Sequence, residues 1–445
     1  MESKANQQGA AGALQGIRVA DFSRVLAGPY ATMLLADFGA DVIKIESPDG
    51  DGTRAWVPPV NAAGQSTYFV SANRGKRSIA LDLRNPQDLE RAKELAATAD
   101  VVIENFKPGT MAKFGLDYDT VAALNPGVVY ASISGFGDKE GAALPGYDLL
   151  VQAVGGLMSI TGSPDSEPSK VGVALVDIIT GLNAVIGIQA ALRARDTAGS
   201  SCYGKGQHVK ISLLGSLLGA LANQASSTLE TGLSPKRLGN AHPSIAPYET
   251  FTVNGESLAV AIGTDGQFAR FAELLGVPEM GSDPKFQTNE ARVANRRELR
   301  ETIERQLQTA PINEWVAGCA RLTIPAGKVN SVGEAIAYAA ELGLNPVVSH
   351  SVVTAQGEQA IVKTVANPIS LDKTPATYHL APPFLAQHQG ADWLPRPAAA
   401  TDAGAGGAAA DAAAAAASDS AAADSVASAA AAESAAARDL GSAQQ

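Results

Sequence analysis

The sequence predicts an α/β protein in which a large, open and mostly parallel sheet is followed by a smaller α+β domain. Three observations carry this. Short apolar runs alternate with amphipathic stretches of helical period from residue 16 to residue 137. A period-two segment then surrounds an Asn-Gly pair at 254–255. Finally, 445 residues exceed what one ordinary core holds.

In order, GIRVADF (16–22) reads as a short buried strand, AGPYATMLLADFG (27–39) as a helix and ADVIKIE (40–46) as the next strand. The rhythm continues with the strand RSIALDL (77–83), the helix PQDLERAKELAATA (86–99) and the strand DVVIENF (100–106). A helix around DTVAALN (119–125) and the strand GVVYASISGFG (127–137) extend it. Strands alternating with helices predict parallel pairing. A glycine-rich loop, AVGGLMSITGSPDSEPSK, precedes the long apolar helix VGVALVDIITGLNAVIGIQAAL (171–192), and VKISLLGSLLGALANQASSTLETG (209–232) reads as a second helical run.

YETFTVNGESLAVAIG is a hairpin signal, and QFARFAELLG, NRRELRETIERQLQT and PINEWVAGCAR are amphipathic helices. The expected organisation is a tail at 1–14, a large domain at 15–224 and a small domain at 225–330. GEAIAYAAELG and VKTVANPISL then return to the large domain over 331–395. Residues 396–445, almost all Ala, Ser, Asp and Gly, have little to bury and are expected to form a disordered tail.

With 46% hydrophobic and 18% charged residues the chain has the composition of a soluble protein, and its net charge of −11 argues against a nucleic-acid or anionic-membrane partner. Cys202 and Cys319 have no ligand spacing, so no metal site is expected, and with no signal-like N-terminus a reducing cytoplasm is the expected compartment. The 171–192 run is long enough to span a membrane, which takes about 20 residues. It carries Asp177, Asn183 and Gln189, however, so a buried helix is expected instead.

Several motifs fail on inspection. The first βαβ unit lacks GxGxxG, which leaves a nicotinamide or flavin dehydrogenase without its phosphate turn. GSSCYGKG (199–206) has Gly206 where a Walker loop needs Ser or Thr. The five histidines are scattered, and no serine sits in GxSxG. His242 lies in a Gly/Pro-rich loop but reads as structural by default. Basic residues gather in NRGKRS (73–78), with Arg84 behind, and Lys107 and Lys113 follow a strand end, which suggests a phosphate-bearing ligand at the sheet's carboxyl edge. The other reading is a solvated basic face. The sharpest anomaly is Asp177 itself, the one charge in its apolar run.

Taken together, these segments resemble the class III CoA-transferase family, which includes formyl-CoA transferase, carnitine CoA-transferases and α-methylacyl-CoA racemases. The resemblance rests on GIRVADFSRVLAGPYATMLLADFGADVIKIE, NRGKRSIALDL, VVIENFKPGTMAKFGL, PGYDLLVQAVGGLMSITG, VGVALVDIITG and GNAHPSIAPYETF, in order over about residues 15 to 390. It implies a Rossmann-like large domain built from both chain ends, a smaller α+β domain and an interlocked homodimer. Coenzyme A or an acyl-CoA would be substrate, with no tightly bound cofactor, and the other partner would be a small carboxylic acid.

The same resemblance places Asp177 where the family keeps its catalytic aspartate, a nucleophile that passes through an aspartyl anhydride and an aspartyl-CoA thioester. Apolar neighbours would leave that carboxylate poorly solvated and raise its pKa unless amides reach it, with Gly155-Gly156 a candidate source. CoA would contact Arg24, Leu26 and Ala27, then Leu81 and Arg84, then Asn105, Phe106 and Lys113. Tyr147 joins this ligand-binding set. It stands in PGYD where the racemases resemble PGHD, and a tyrosine, with a pKa near 10, is a poor base at neutral pH. Leu26 and Ser47 differ from the glutamine and arginine of formyl-CoA transferase, and that enzyme's glycine-rich lid is missing, which counts against oxalate and formate. RLGNAHPSIAPYETF looks most like the subgroup using succinyl-CoA or another dicarboxylyl-CoA. The alternatives are a racemase or isomerase of the same family and a non-catalytic CoA-binding module.

Overall fold

Six parallel strands organise the computed structural model, in which residues 12–354 and 356–397 are described. They are β1 (Arg18–Asp21), β2 (Asp41–Glu46), β3 (Lys76–Ala80), β4 (Val101–Glu104), β5 (Val129–Ser134) and β6 (His208–Ser212). Their spatial order is β3-β2-β1-β4-β5-β6, every pair parallel. The order reverses between β1 and β4, the crevice where open α/β sheets bind ligands.

The helices between them are α1 (Ala27–Asp37), the single turn α2 (Thr67–Val70), α3 (Pro86–Thr98), α4 (Tyr118–Leu124), α5 (Asp148–Val154), the turn α6 (Leu157–Ile160) and α7 (Leu175–Asp196). Successive strand residues point to opposite faces, and both faces are covered. Val19, Val101, Val129 and Ile133 pack with Leu35 of α1 and with Ala184, Ile188 and Leu192 of α7. Ala20, Ile43, Val102 and Tyr130 pack with Leu95 and Ala96 of α3. The start of α3 follows from its sequence: the Asn85 side chain accepts the N–H groups of Gln87 and Asp88, and Pro86 needs no donor partner. Among the described residues α7 is the one helix long and apolar enough to cross a membrane, yet its inner face lies in this core.

One expected element is corrected. The run 209–232 begins as β6, an edge strand beside β5, before Ser212 caps α8 (Leu213–Ala220) and α9 (Ala222–Thr231) follows. The five residues of β6 run straight into a leucine-rich helix and show no period of their own.

The hairpin is as expected. β7 (Tyr248–Val253) pairs antiparallel with β8 (Glu256–Ala261) around Asn254 and Gly255, both with positive φ, as a tight hairpin turn requires. Helices α10 (Asp265–Leu274), α11 (Asn289–Ala294), α12 (Arg296–Leu307) and α13 (Ile312–Arg321), with strand β9 (Ala326–Lys328), complete a separate core around Phe251, Leu258, Phe268, Ile303 and Trp315. After α14 (Val332–Glu341) comes a second hairpin, β10 (Val347–Val353) with β11 (Gln359–Val365), which the sequence reading passed over.

The returning chain then covers the open edge of the large sheet. The N–H groups of Ser78 and Ala80 on β3 donate to the His388 and Gln389 side chains, and Arg77 donates to the Asp392 carbonyl. All six strands thus come from residues 18–212, and the far end of the chain contributes the cover of the β3 edge. The chain divides into Met1–Leu394 and Pro395–Gln445; of the latter only 395–397 are described, so the expected tail lies almost wholly outside the described residues, as do residues 1–11.

Candidate active site

The loop from β1 into α1 is held by buried ions. Asp21, fully buried, accepts the N–H and hydroxyl of Ser23 (2.9 and 2.5 Å), the Thr32 hydroxyl (2.6 Å) and the Lys76 ammonium (3.1 Å). Burial alone would raise the Asp21 carboxyl, but Lys76, Lys44 and the two hydroxyls hold it below the usual carboxylate range. Burial brings Lys76 down to about 8 against the pull of Asp21. Lys44 donates to the Ser23 carbonyl (2.9 Å) and to Asp51 (3.1 Å), and Asp51 takes the N–H of Val25 (3.1 Å). From the β4 side, Asn105 accepts the Arg24 N–H (2.9 Å) and donates to the Arg24 carbonyl (2.7 Å).

Val25 sits at φ +70°, strained for a β-branched residue by about 1–2 kcal/mol. The ion network supplies what holds it there. Gly28 is required in the same corner, because a Cβ on it would lie 2.3 Å from the Ser23 Cβ.

This network corrects the reading of the basic cluster. Arg74 makes a two-pronged pair with Asp37 (2.8 and 2.6 Å), Lys76 pairs with Asp21, and Arg77 pairs with Asp41 (2.6 Å). The cluster is neither a phosphate patch nor a solvated face. Its partners lie on β1, α1 and β2, too distant in sequence to be seen beside it.

Asp177 is the third residue of α7, half-buried. No side chain at Ala174 caps the helix. Instead Asp148, at the start of α5, accepts the N–H groups of Val176 (2.8 Å) and Asp177 (3.3 Å) on Oδ1. Its Oδ2 is held by the Gln152 amide (2.6 Å), whose oxygen accepts the Val171 N–H (2.9 Å). Capping is therefore supplied from another helix. Burial pushes the Asp177 carboxyl up to about 7, and the Asp148 charge pushes the same way. Nothing among the described residues opposes them. Gly155-Gly156, the expected amide source, closes α5: the Gly155 N–H bonds the Val151 carbonyl, and a Cβ there would meet Leu217 of α8 at 2.5 Å.

Asp177 and Asp148 open onto a cavity of about 660 Å³ whose wall includes Leu26, Trp56, Tyr68 and Tyr147. Trp56 and Tyr68 meet edge to face with ring centres 4.8 Å apart. Burial and the nearby charges of Asp177 and Asp148 push the Tyr68 phenol up to about 12, so it remains a hydrogen-bond donor. Lys170 also lines the cavity.

The expected site residues fall into groups. Leu26, Tyr147 and Asp177 share the cavity, and buried Ala27 begins α1 beside Leu26. Arg24, Asn105 and Phe106 meet at the ends of β1 and β4, the Arg24 guanidinium lying 4.6 Å over the Phe106 ring. Phe106 lines a second cavity, of about 480 Å³, with Glu104, Tyr118, Ser132 and His208. Leu81 is a core residue at 5% exposure, so only its backbone can face a ligand. Arg84 is exposed and paired with Asp82, and Lys113 is exposed on the turn Met111–Phe114. Sequence reasoning did not single out Trp56, Tyr68, Asp148 or Lys170. Asp148, adjacent to Tyr147 in PGYD, was the most readable of them.

The chain matches the family model described as CoA-transferase family III over residues 14–389. It is 43% identical over 386 residues to a succinate–glutarate CoA-transferase of Agrobacterium fabrum, covering 84% of this chain and 94% of that one. An acetyl-CoA:oxalate CoA-transferase of Acetobacter aceti is 38% identical over 327 residues, with 73% and 82% covered. Among solved structures, a CAIB/BAIF family protein from Brucella suis superposes with a TM-score of 0.74 at 42% identity, over 85% of this chain and 97% of that one.

Proposed function

The chain belongs to CoA-transferase family III, and from that membership we propose that it moves CoA from a dicarboxylyl-CoA donor such as succinyl-CoA to a second carboxylic acid, with Asp177 as covalent nucleophile. The observation that carries this reading is an Asp177 carboxyl raised by burial, with no offsetting partner, at the wall of a cavity large enough for a small acid. A poorly solvated carboxylate is a better nucleophile than a hydrated one.

Each step then balances. An Asp177 oxygen attacks the donor thioester carbonyl, the C–S bond breaks, and CoA leaves as thiolate, giving a mixed anhydride. The thiolate attacks the aspartyl carbonyl and releases the donor acid as its carboxylate, leaving an aspartyl-CoA thioester. The acceptor carboxylate attacks that thioester to form a second anhydride, and the freed thiolate attacks the acceptor carbonyl. Acceptor-CoA departs and Asp177 is regenerated, with no water consumed. The α1 N-terminus at Leu26–Ala27, which no side chain caps, supplies N–H donors for the developing oxyanion in this reading.

CoA would enter at the switch point between β1 and β4, past Arg24, Asn105 and Phe106, with Arg84 and Lys113 toward its phosphates. A second copy of the chain would cover the exposed apolar side chains of α5 and α7, including Leu149, Val154 and Ile186. The test is an acyl-exchange screen: wild type and Asp177→Asn incubated with succinyl-CoA and a panel of mono- and dicarboxylic acids, with new thioesters read by mass spectrometry. The expected result is a new thioester from wild type and none from the folded variant. CoA binding without exchange would favour the binding module, and α-proton exchange without an acceptor would favour the isomerase.

A further inference from the structure

We propose that Lys170 selects dicarboxylic acids by pairing with the carboxylate at the end remote from the reacting one. This rests on the transferase reading above and adds to it the group that sets the acid class.

The cavity wall already carries the carboxyls of Asp177 and Asp148. A dicarboxylic acid brings one carboxylate to react at half-buried Asp177 and a second that must settle in a space already acidic, beside exposed Lys170, where an unpaired negative charge is repelled. Among the described residues lining the cavity, Lys170 is the one cation. The nearby buried cations are engaged elsewhere: Lys44 with Asp51, Lys76 with Asp21 and Arg74 with Asp37. Among the described residues the Lys170 ammonium, by contrast, reaches only the Val171 carbonyl at 3.3 Å and forms no ion pair, which leaves donors for a ligand.

Its backbone is also anchored to the nucleophile. The next residue's N–H, that of Val171, bonds Gln152. The Gln152 amide bonds Asp148, and Asp148 holds the Asp177 N–H. The base of the lysine is therefore fixed relative to the reacting carboxyl, while its four-carbon stem lets the charge follow acids of different length. A monocarboxylic acid has nothing to give this ammonium.

The test compares glutarate with valerate, two five-carbon acids that differ in the second carboxylate, as acceptors in wild type, Lys170→Met and Lys170→Arg. Loss of one charge-assisted contact predicts that the ratio of kcat/KM for glutarate over valerate falls on the order of 10- to 100-fold in Lys170→Met, mainly through the KM for glutarate, and largely recovers in Lys170→Arg. An unchanged ratio, or equal losses for both acids, would overturn the proposal. Calorimetric binding of glutarate to the CoA-loaded protein separates this from the transferase reading. If wild type transfers to neither acid, glutarate binding that is lost in Lys170→Met still supports the lysine's role, and binding that persists unchanged refutes it.

Discussion

Asp148 accepts the backbone N–H of Asp177 at 3.3 Å, so the carboxylate that caps α7 is also the charge that opposes the ionisation of Asp177. The two effects have different ranges. The cap acts through contact with the Val176 and Asp177 amides, the repulsion through space, and a substitution can separate them.

Because burial and Asp148 bring the Asp177 carboxyl up to about 7, exchange by wild type should rise with pH through that value and level off above it, as the carboxylate proposed to attack the thioester forms. Asp148→Asn keeps an oxygen to accept the two amides but removes the charge. Its pH–rate inflection should move down, and an inflection that stays in place would show that the Asp148 charge does not act on Asp177.

Stability should show the converse. A folded-state pKa raised from 3.8 to about 7 means the native protein holds a proton the unfolded chain has lost. Wild type therefore loses stability as pH climbs through that window and carries the full penalty above it. Asp177→Asn escapes this and should be more stable than wild type at pH 8, on the order of 1–3 kcal/mol, with the difference vanishing near pH 4. Denaturant melts at the two pH values measure it.

Asp148→Ala removes the cap altogether. It frees the amides of Val176 and Asp177 and the Gln152 side chain, and should cost about 1–2 kcal/mol of stability. A displaced Asp177 should also lower kcat by more than it weakens CoA binding, which steady-state kinetics and calorimetry would resolve.

Below the site, Lys76→Met leaves Asp21 buried without its principal counter-charge. Breaking such a pair should destabilise by about 3–5 kcal/mol in urea unfolding, since Asp21 also fixes Ser23 at the start of the strained Val25 turn.

What the sequence disclosed depended on range. The alternating strands and helices, the Asn-Gly hairpin and the lone charge of Asp177 are local signals, and the structure contains each of them. The NRGKRS cluster misled because the partners of Arg74 and Lys76, Asp37 and Asp21, stand 37 and 55 residues earlier. The cap on α7 was invisible for the same reason: Asp148 is 29 residues from Asp177. The strand His208–Ser212 was hidden by the leucine-rich helix it enters. The β10–β11 hairpin is legible in the same local way, since VVSHSVV and QAIVKTV alternate on either side of a Gly-containing stretch.

The most direct test of a covalent Asp177 is to quench wild type with hydroxylamine during turnover with succinyl-CoA and map the modified peptide by mass spectrometry. An activated aspartyl carbonyl should be captured as a hydroxamate on Asp177, only when the acyl-CoA is present. Ongoing CoA exchange with Asp177 left unmodified would contradict the covalent route.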